Sequence, residues 1–168
     1  MERRKTRKIK IGNTFIGGGS PIVVQSMLKT NPEDLQATVT QALALKKAGC
    51  ELIRMAIPHE ETCKIIPFLR REIDIPLIGD IHFNHKIAIQ AMEAGIDGIR
   101  INPGTINNTR KVREVARMAK ETKTPVRIGI NVGSIEKRIL KNSPKPGAAA
   151  MVESALYHIK LFEDTGWT

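Results

Sequence analysis

Aromatic residues are scarce in this chain: 4% of 168 positions, with one tryptophan and one tyrosine. So few rings cannot build the stacking platforms on which single-stranded nucleic acids lie. Cysteine is nearly absent as well. Cys50 and Cys63 form no CxxC or other ligand spacing, and two thiols cannot unaided ligate an iron–sulfur cluster or a structural zinc. They read as packing residues in a reduced setting rather than as a disulfide framework. No apolar stretch approaches the roughly 20 residues that a membrane span needs. The basic N-terminus runs into Ile11-Gly-Asn-Thr-Phe-Ile-Gly-Gly-Gly-Ser20, which lacks the apolar run of a signal peptide. The expected location is cytoplasmic.

Acidic residues are also in deficit, 17 against 27 lysines and arginines, for a net charge of +10. The first ten residues carry six bases and one acid, which is half of that excess. The other bases, among them Lys46, Lys47, Arg70, Arg71, Arg110 and Lys120, are interleaved with acids. That is the pattern of solvated helix faces rather than of a nucleic-acid track. A basic RNA-associated module using the N-terminal arm is therefore the weaker alternative.

What remains is an ordinary globular composition, 41% hydrophobic, in a chain long enough for one sizeable core. Two short apolar runs, 8–11 and 14–16, flank Gly12-Asn13 and predict a hairpin. The glycines at 17–19 break the chain. Beyond them a strand-then-helix unit recurs about every 25 residues. Strands are predicted at 22–27, 52–57, 76–81, 98–102 and 126–131. Helices are predicted at 32–48, 60–71, 85–94, 107–122 and 148–163, with a longer loop at 133–147. Short buried strands separated by helices imply right-handed crossovers and a parallel sheet.

The polar residues choose between a doubly wound sheet and a barrel. They recur at the C-terminal ends of the strands: Gln25 and Ser26, Arg54, Asp80 and His82, Arg100 and Asn102, Arg127 and Asn131. A doubly wound sheet gathers its ligand groups at one switch point, whereas a barrel draws on all its strands. The expected fold class is therefore α/β, with parallel (β/α) units of a TIM-type barrel. About five of the eight units are present, behind a small hairpin. Residues 1–20 form the basic arm and hairpin, residues 21–168 the partial barrel, and the chain reads as part of a larger protein.

Three arginines carry the chemistry. Arg54, Arg100 and Arg127 each lie in an apolar run that a parallel sheet would bury. A buried guanidinium is costly without an anion or a dense set of acceptors. The acids nearby in sequence, Asp80 and Asp97, are too few to neutralise all three, so an anion-binding floor is expected. Asp80 reads either as a group that orients ligand and arginines or as a buried counter-ion. His82 reads as a phosphate donor, an acid or a wall residue. Asn102 and Asn131 each precede a glycine turn; they either tie the loop backbone or face substrate hydroxyls. His59, His85 and His158 are expected to be solvated.

These segments carry a resemblance. Val24-Gln-Ser-Met27, Arg54, Asp80-Ile-His-Phe83, Arg100-Ile-Asn-Pro-Gly104 and Arg127-Ile-Gly-Ile-Asn-Val-Gly-Ser134 closely resemble the N-terminal barrel of the 4-hydroxy-3-methylbut-2-enyl diphosphate synthase family. The match runs in order over nearly the whole chain. It departs at Leu28-Lys29-Thr30, where the family usually has Thr-Asn-Thr, at Gly79, often alanine, and at Thr105, often asparagine. The resemblance implies a step of the non-mevalonate isoprenoid pathway. There, two electrons delivered through a [4Fe-4S] cluster open 2-C-methyl-D-erythritol 2,4-cyclodiphosphate with loss of water. It implies that Arg54, Arg100 and Arg127 hold the diphosphate, that Asn102, Asn131 and Ser134 support it, and that Asp80 organises the arginines. It also implies a homodimer, flavodoxin or ferredoxin as electron donor, and a cluster on a C-terminal domain that this chain lacks. A pterin-diphosphate-binding barrel like dihydropteroate synthase is the enzymatic alternative.

Overall fold

The computed structural model describes residues 4–106, 108–142 and 147–167. Strands β1 (Ile9–Ile11) and β2 (Thr14–Ile16) form the expected antiparallel hairpin, with Gly12 at φ 56° in its turn. The five strands that follow make one parallel sheet in chain order: β3 (Gln25–Met27), β4 (Leu52–Ala56), β5 (Leu77–Ile81), β6 (Gly98–Ile101) and β7 (Val126–Ile128). Between and after them run α1 (Leu35–Lys47), α2 (Glu60–Glu72), α3 (His85–Glu93), α4 (Pro103–Ile106), α5 (Thr109–Thr122), α6 (Lys137–Asn142) and α7 (Ala148–Glu163).

Local chemistry sets the helix ends. The side chains of Asp34, Asn84 and Asn108 accept backbone N–H groups in the first turns of α1, α3 and α5, satisfying donors that have no partner within the helix. Alternation along the strands separates two faces. Ile53, Met55, Leu77, Ile81, Ile99 and Ile101 point toward the helices and join Ile66, Leu69, Ala88, Val112 and Val115 in the main core. Each such large side chain contributes about 1.5–3 kcal/mol on burial. On the opposite face, Leu52 and Ile78 pack against Ile11 of the hairpin. The hairpin thereby stoppers the N-terminal end of that face and leaves the C-terminal end to Arg54, Asp80 and Arg100.

Several boundaries differ from the expectation. β3 pairs only over Gln25–Met27, and Ile22 is 86% exposed, because β3 is an edge of the described sheet. β7, the other edge, ends at Ile128, although Gly129 N–H still reaches Ile101 O at 2.9 Å. The stretch read as one loop after β7 contains a 3-10 turn (Val132–Ser134) and α6. The predicted helix start at Asn107, the loop residues Ser143 to Lys145 and Pro146, and arm residues 1–3 lie outside the described residues.

Candidate functional site: a shared carboxylate at the sheet mouth

Parallel register aligns the site. Asp80 lies opposite Arg100, and Arg100 opposite Arg127, so the three start from one row on one face; Arg54 lies on β4 of the same face, one pleat lower. Asp80 is the hub. Its Oδ2 accepts a 2.6 Å bond from Arg54 Nη2, and its Oδ1 a 3.3 Å bond from Arg100 Nη1. The Asp80 side chain is 5% exposed, against 23% for Arg54 and 11% for Arg100. His82 Nε2 lies 3.4 Å from both Asp80 Oδ2 and Arg100 Nη1. One carboxylate thus meets two guanidinium groups, and one positive charge is left over. Arg54 Nε and Asn102 Oδ1 are buried without a hydrogen-bond partner among the described residues, so each keeps an unsatisfied polar atom at the sheet mouth.

Asp97, counted in sequence as a neighbouring acid, is not one. It receives Leu77 N–H at 2.8 Å and pairs with Arg70 at the opposite end of the sheet. Burial pushes its carboxyl up from the ordinary range, although the Leu77 amide and Arg70 oppose the shift. It is a structural group.

Arg127 also departs from the expected convergence. It is exposed and lines a cleft with Ile16, Gly17, Ser20, Gln25 and Leu52, toward the hairpin. Both Asp80 oxygens are already engaged, and no further strand flanks β7 among the described residues, so nothing holds the long side chain at the mouth. The structure brings together Arg54, Asp80, His82 and Arg100 and leaves Arg127 apart.

The loops after β6 and β7 are stitched to each other. Asn102, 1% exposed, donates from Nδ2 to Ser134 Oγ at 2.9 Å. Ser134 Oγ in turn accepts from Asn131 N–H at 3.1 Å and donates to Asn131 O at 2.9 Å. A side chain at Gly104 would strike the Ser134 carbonyl, so glycine permits the contact. Thr105 Oγ1 donates to Asn102 O at 2.7 Å and receives Phe83 N–H at 3.4 Å, which ties in the loop after β5. Phe83 itself holds φ 61° and is 72% exposed. A strained, exposed aromatic next to the site fits the clustering of such outliers at functional positions.

Three residues of this neighbourhood escaped the sequence reading. Thr105 figured only as a departure from family usage. Gly129 was an unremarked glycine, yet its missing side chain is the space that the Arg100 guanidinium fills. His158, expected to be solvated, is 4% exposed and touches Glu136. Burial lowers its pKa, against the pull of Glu136. His85 is also largely buried, near Glu114, whereas His59 is exposed as expected.

A five-stranded parallel β/α sheet with polar groups at the C-terminal ends of its strands has the arrangement of a TIM-type barrel. The comparisons make this particular. Residues 6–168 match the GcpE TIM-barrel domain, and the chain belongs to that family. It is 48% identical over 164 residues to the 4-hydroxy-3-methylbut-2-en-1-yl diphosphate synthase (flavodoxin) of Geobacillus thermodenitrificans, covering 98% of this chain and 44% of the relative. It is 50% identical over 162 residues to the synthase of the same name from Halalkalibacterium halodurans, covering 96% and 44%. The chain thus spans less than half the length of these relatives. Among solved structures it resembles the 7,8-dihydropteroate synthase of Vibrio fischeri, with TM-score 0.67, 17% identity, and 96% of this chain and 63% of that one covered. At that identity the likeness is one of fold.

The described residues do not fit an iron–sulfur cluster. No group of three His, Cys, Asp or Glu side chains is placed to hold a metal among them. Cys50 and Cys63 are both buried, Cys50 Sγ against Leu52 O and Cys63 Sγ against Ile87 O. No helix among the described residues is long and apolar enough to cross a membrane.

Proposed function

We propose that this chain is the substrate-binding portion of a 4-hydroxy-3-methylbut-2-enyl diphosphate synthase, and that it holds the diphosphate of 2-C-methyl-D-erythritol 2,4-cyclodiphosphate at the mouth of the sheet. The observation that carries the reading is the single Asp80 carboxylate shared by Arg54 and Arg100, which leaves cationic charge in excess where the loops open. Charge-assisted hydrogen bonds from these arginines to a partly desolvated diphosphate contribute about 1.5–3 kcal/mol each. Asp80 keeps both side chains aimed between ligand encounters. Asn102, Asn131 and Ser134 support the diphosphate or the substrate hydroxyls, and Arg127 joins by turning from the hairpin toward the mouth.

Reductive opening of the ring requires a [4Fe-4S] cluster, which these cysteines do not fit. The part of the enzyme that carries the cluster lies outside this sequence, and the isolated chain binds without reducing. The names of the relatives favour flavodoxin as electron donor, with ferredoxin as the alternative. The complete enzyme is a cytoplasmic homodimer in this reading. Likeness of fold to dihydropteroate synthase leaves a pterin diphosphate as the competing ligand, and the basic arm leaves RNA.

Calorimetric titration tests the reading. The chain should bind the cyclic diphosphate in preference to pterin diphosphate or RNA. Arg100→Lys and Arg127→Lys keep the charge but lose the planar fork, and each should weaken binding at least about tenfold, equivalent to about 1.4 kcal/mol. Undiminished affinity in both variants would make the arginines structural.

A further inference from the structure

The segment that carries Asn131 and Ser134 is anchored outside the main core. Ile135 and Ile139 form a separate cluster with Ala150 of α7, so the turn is held by that helix more than by the sheet. Glu136 and His158 lie beside this cluster, their side chains 15% and 5% exposed, with His158 Nε2 against Glu136 Oε1; the two are in close contact without a directed hydrogen bond, and neither group has another partner among the described residues. The carbonyl of Glu136 starts α6 by accepting Ile139 N–H at 2.9 Å and Leu140 N–H at 3.1 Å. A carboxylate is costly to bury without a partner, and here its neighbour is a histidine from an element far along the chain.

A cleft of about 460 Å³ opens on the outer side of the turn. The titratable groups lining it are Glu136, Lys137 and Arg138 from the segment and Tyr157 and His158 from α7. Pro103 and Gly104 of α4 and Asn108, Thr109 and Val112 around the start of α5 complete the wall, and none of these ionises. Arg138 lies over the Tyr157 ring at 3.9 Å, and Tyr157 OH is 3.0 Å from Thr109 Oγ1. Among the described residues lining the cleft, Glu136 is therefore the one acid facing His158, two residues beyond the hydroxyl that Asn102 grips.

We propose that Glu136 and His158 are positioning residues: their contact fixes the Asn131–Ser134 turn from behind and so keeps Ser134 Oγ on Asn102 Nδ2 at the mouth. The inference rests on the diphosphate-binding reading only for the identity of the ligand. Proton gain by His158 turns the contact into an ion pair with Glu136 in a site where burial disfavours the charge, and the turn shifts with it, so the Asn102–Ser134 bond follows the protonation of a histidine that touches neither residue.

Nuclear magnetic resonance on the chain tests this without ligand. Between about pH 8 and about pH 5, the Asn102 side-chain amide and the Ser134 backbone amide should titrate with the midpoint of the His158 ring. Glu136→Gln, which is isosteric, and His158→Gln should abolish that shared midpoint. Ile139→Val, which thins the same cluster but keeps the pair, should retain it while lowering stability. Inorganic pyrophosphate should bind Glu136→Gln at least about threefold more weakly than the parent at neutral pH. Amides in the parent chain that ignore the His158 titration would overturn the proposal. Shared titration together with no pyrophosphate binding would leave it standing and count against the diphosphate reading instead.

Discussion

A methyl group at Gly129 would collide with the guanidinium of Arg100. Arg100 leaves β6 and is wedged between two neighbours: Asp80 of β5, which accepts its Nη1 at 3.3 Å, and the bare backbone just beyond β7. The glycine determines where the charge rests.

Gly129→Ala should therefore push the Arg100 side chain off Asp80. Overpacking of this kind costs about 1–3 kcal/mol, read as a lower urea midpoint. Affinity for inorganic pyrophosphate should fall about tenfold by calorimetry. A parent-like affinity would mean that Arg100 binds its anion from another position.

Asp80→Asn should destabilise the chain more than any arginine-to-lysine change at the mouth. It removes the carboxylate that Arg54 and Arg100 share and leaves two mostly buried cations facing each other. The expected loss is about 3 kcal/mol, the lower end for breaking a buried pair because Arg54 keeps some contact with water. Denaturant unfolding of the variant beside Arg54→Lys measures it.

Stability should decline on the acid side through His158. Burial holds its folded pKa below the ordinary value, with Glu136 opposing and Arg138 reinforcing that effect. A depressed folded value means that the unfolded chain takes up the proton first. The contribution is therefore full above about pH 6.5 and is lost as pH falls toward the folded value. Urea midpoints at about pH 7.5 and about pH 5.5 should differ in the parent and differ less in His158→Gln.

Cys63 should be inert to thiol reagents while the chain is folded. Burial, then Glu60 and Glu61, pushes its thiol up to about 11, and the thiolate is the reactive form. In a Cys50→Ser background, alkylation near about pH 8 should run at least about a hundredfold slower than after unfolding. A comparable rate in the two states would show that α2 opens readily.

Among the described residues, two side chains occupy backbone conformations that favour glycine: Phe83 at φ 61° and Lys123 at φ 57°, the latter in the left-handed cap after α5. Lys123→Gly should stabilise the chain by about 1 kcal/mol, raising Tm by about 2–4 °C. Phe83→Gly should relieve similar strain. It keeps the backbone N–H that meets Thr105 Oγ1, but the freer glycine backbone should loosen the loop after β5, visible as faster amide exchange there.

Strand order and the five-unit count were legible because short apolar runs, bounded by Pro58, Gly49 and Gly95, have few other readings. The Arg54–Asp80–Arg100 cluster was legible in part, since strand alternation fixes which residues share a face. Where a long side chain ends is not a property of alternation. Arg127 starts in the row of Arg100, but it can lie along either direction of an open face. Asp97 precedes β6 closely in sequence, yet one strand length separates it from the mouth. His158 was misread because α7 is apolar nearly all round, from Ala148 through Leu161, so its pattern does not tell which side is buried. The cap at Asn108 was not read, since the helix was expected from residue 107; the 3-10 turn at Val132–Ser134, held by one serine hydroxyl, carried no periodic signal.

Gly104 pressed on the carbonyl of Ser134, with Asn102 bonded to the same serine, makes the loops after β6 and β7 one mechanical part. Neither can be lengthened by a residue without displacing the other. Variants meant to admit a bulkier ligand have little latitude there. Latitude lies instead at Lys29-Thr30, just past Leu28, where both backbone N–H groups are held by Gln41 Oε1 rather than by the sheet. Insertions at that rim should be accommodated, whereas insertions between Asn102 and Thr105 should abolish folding and binding together.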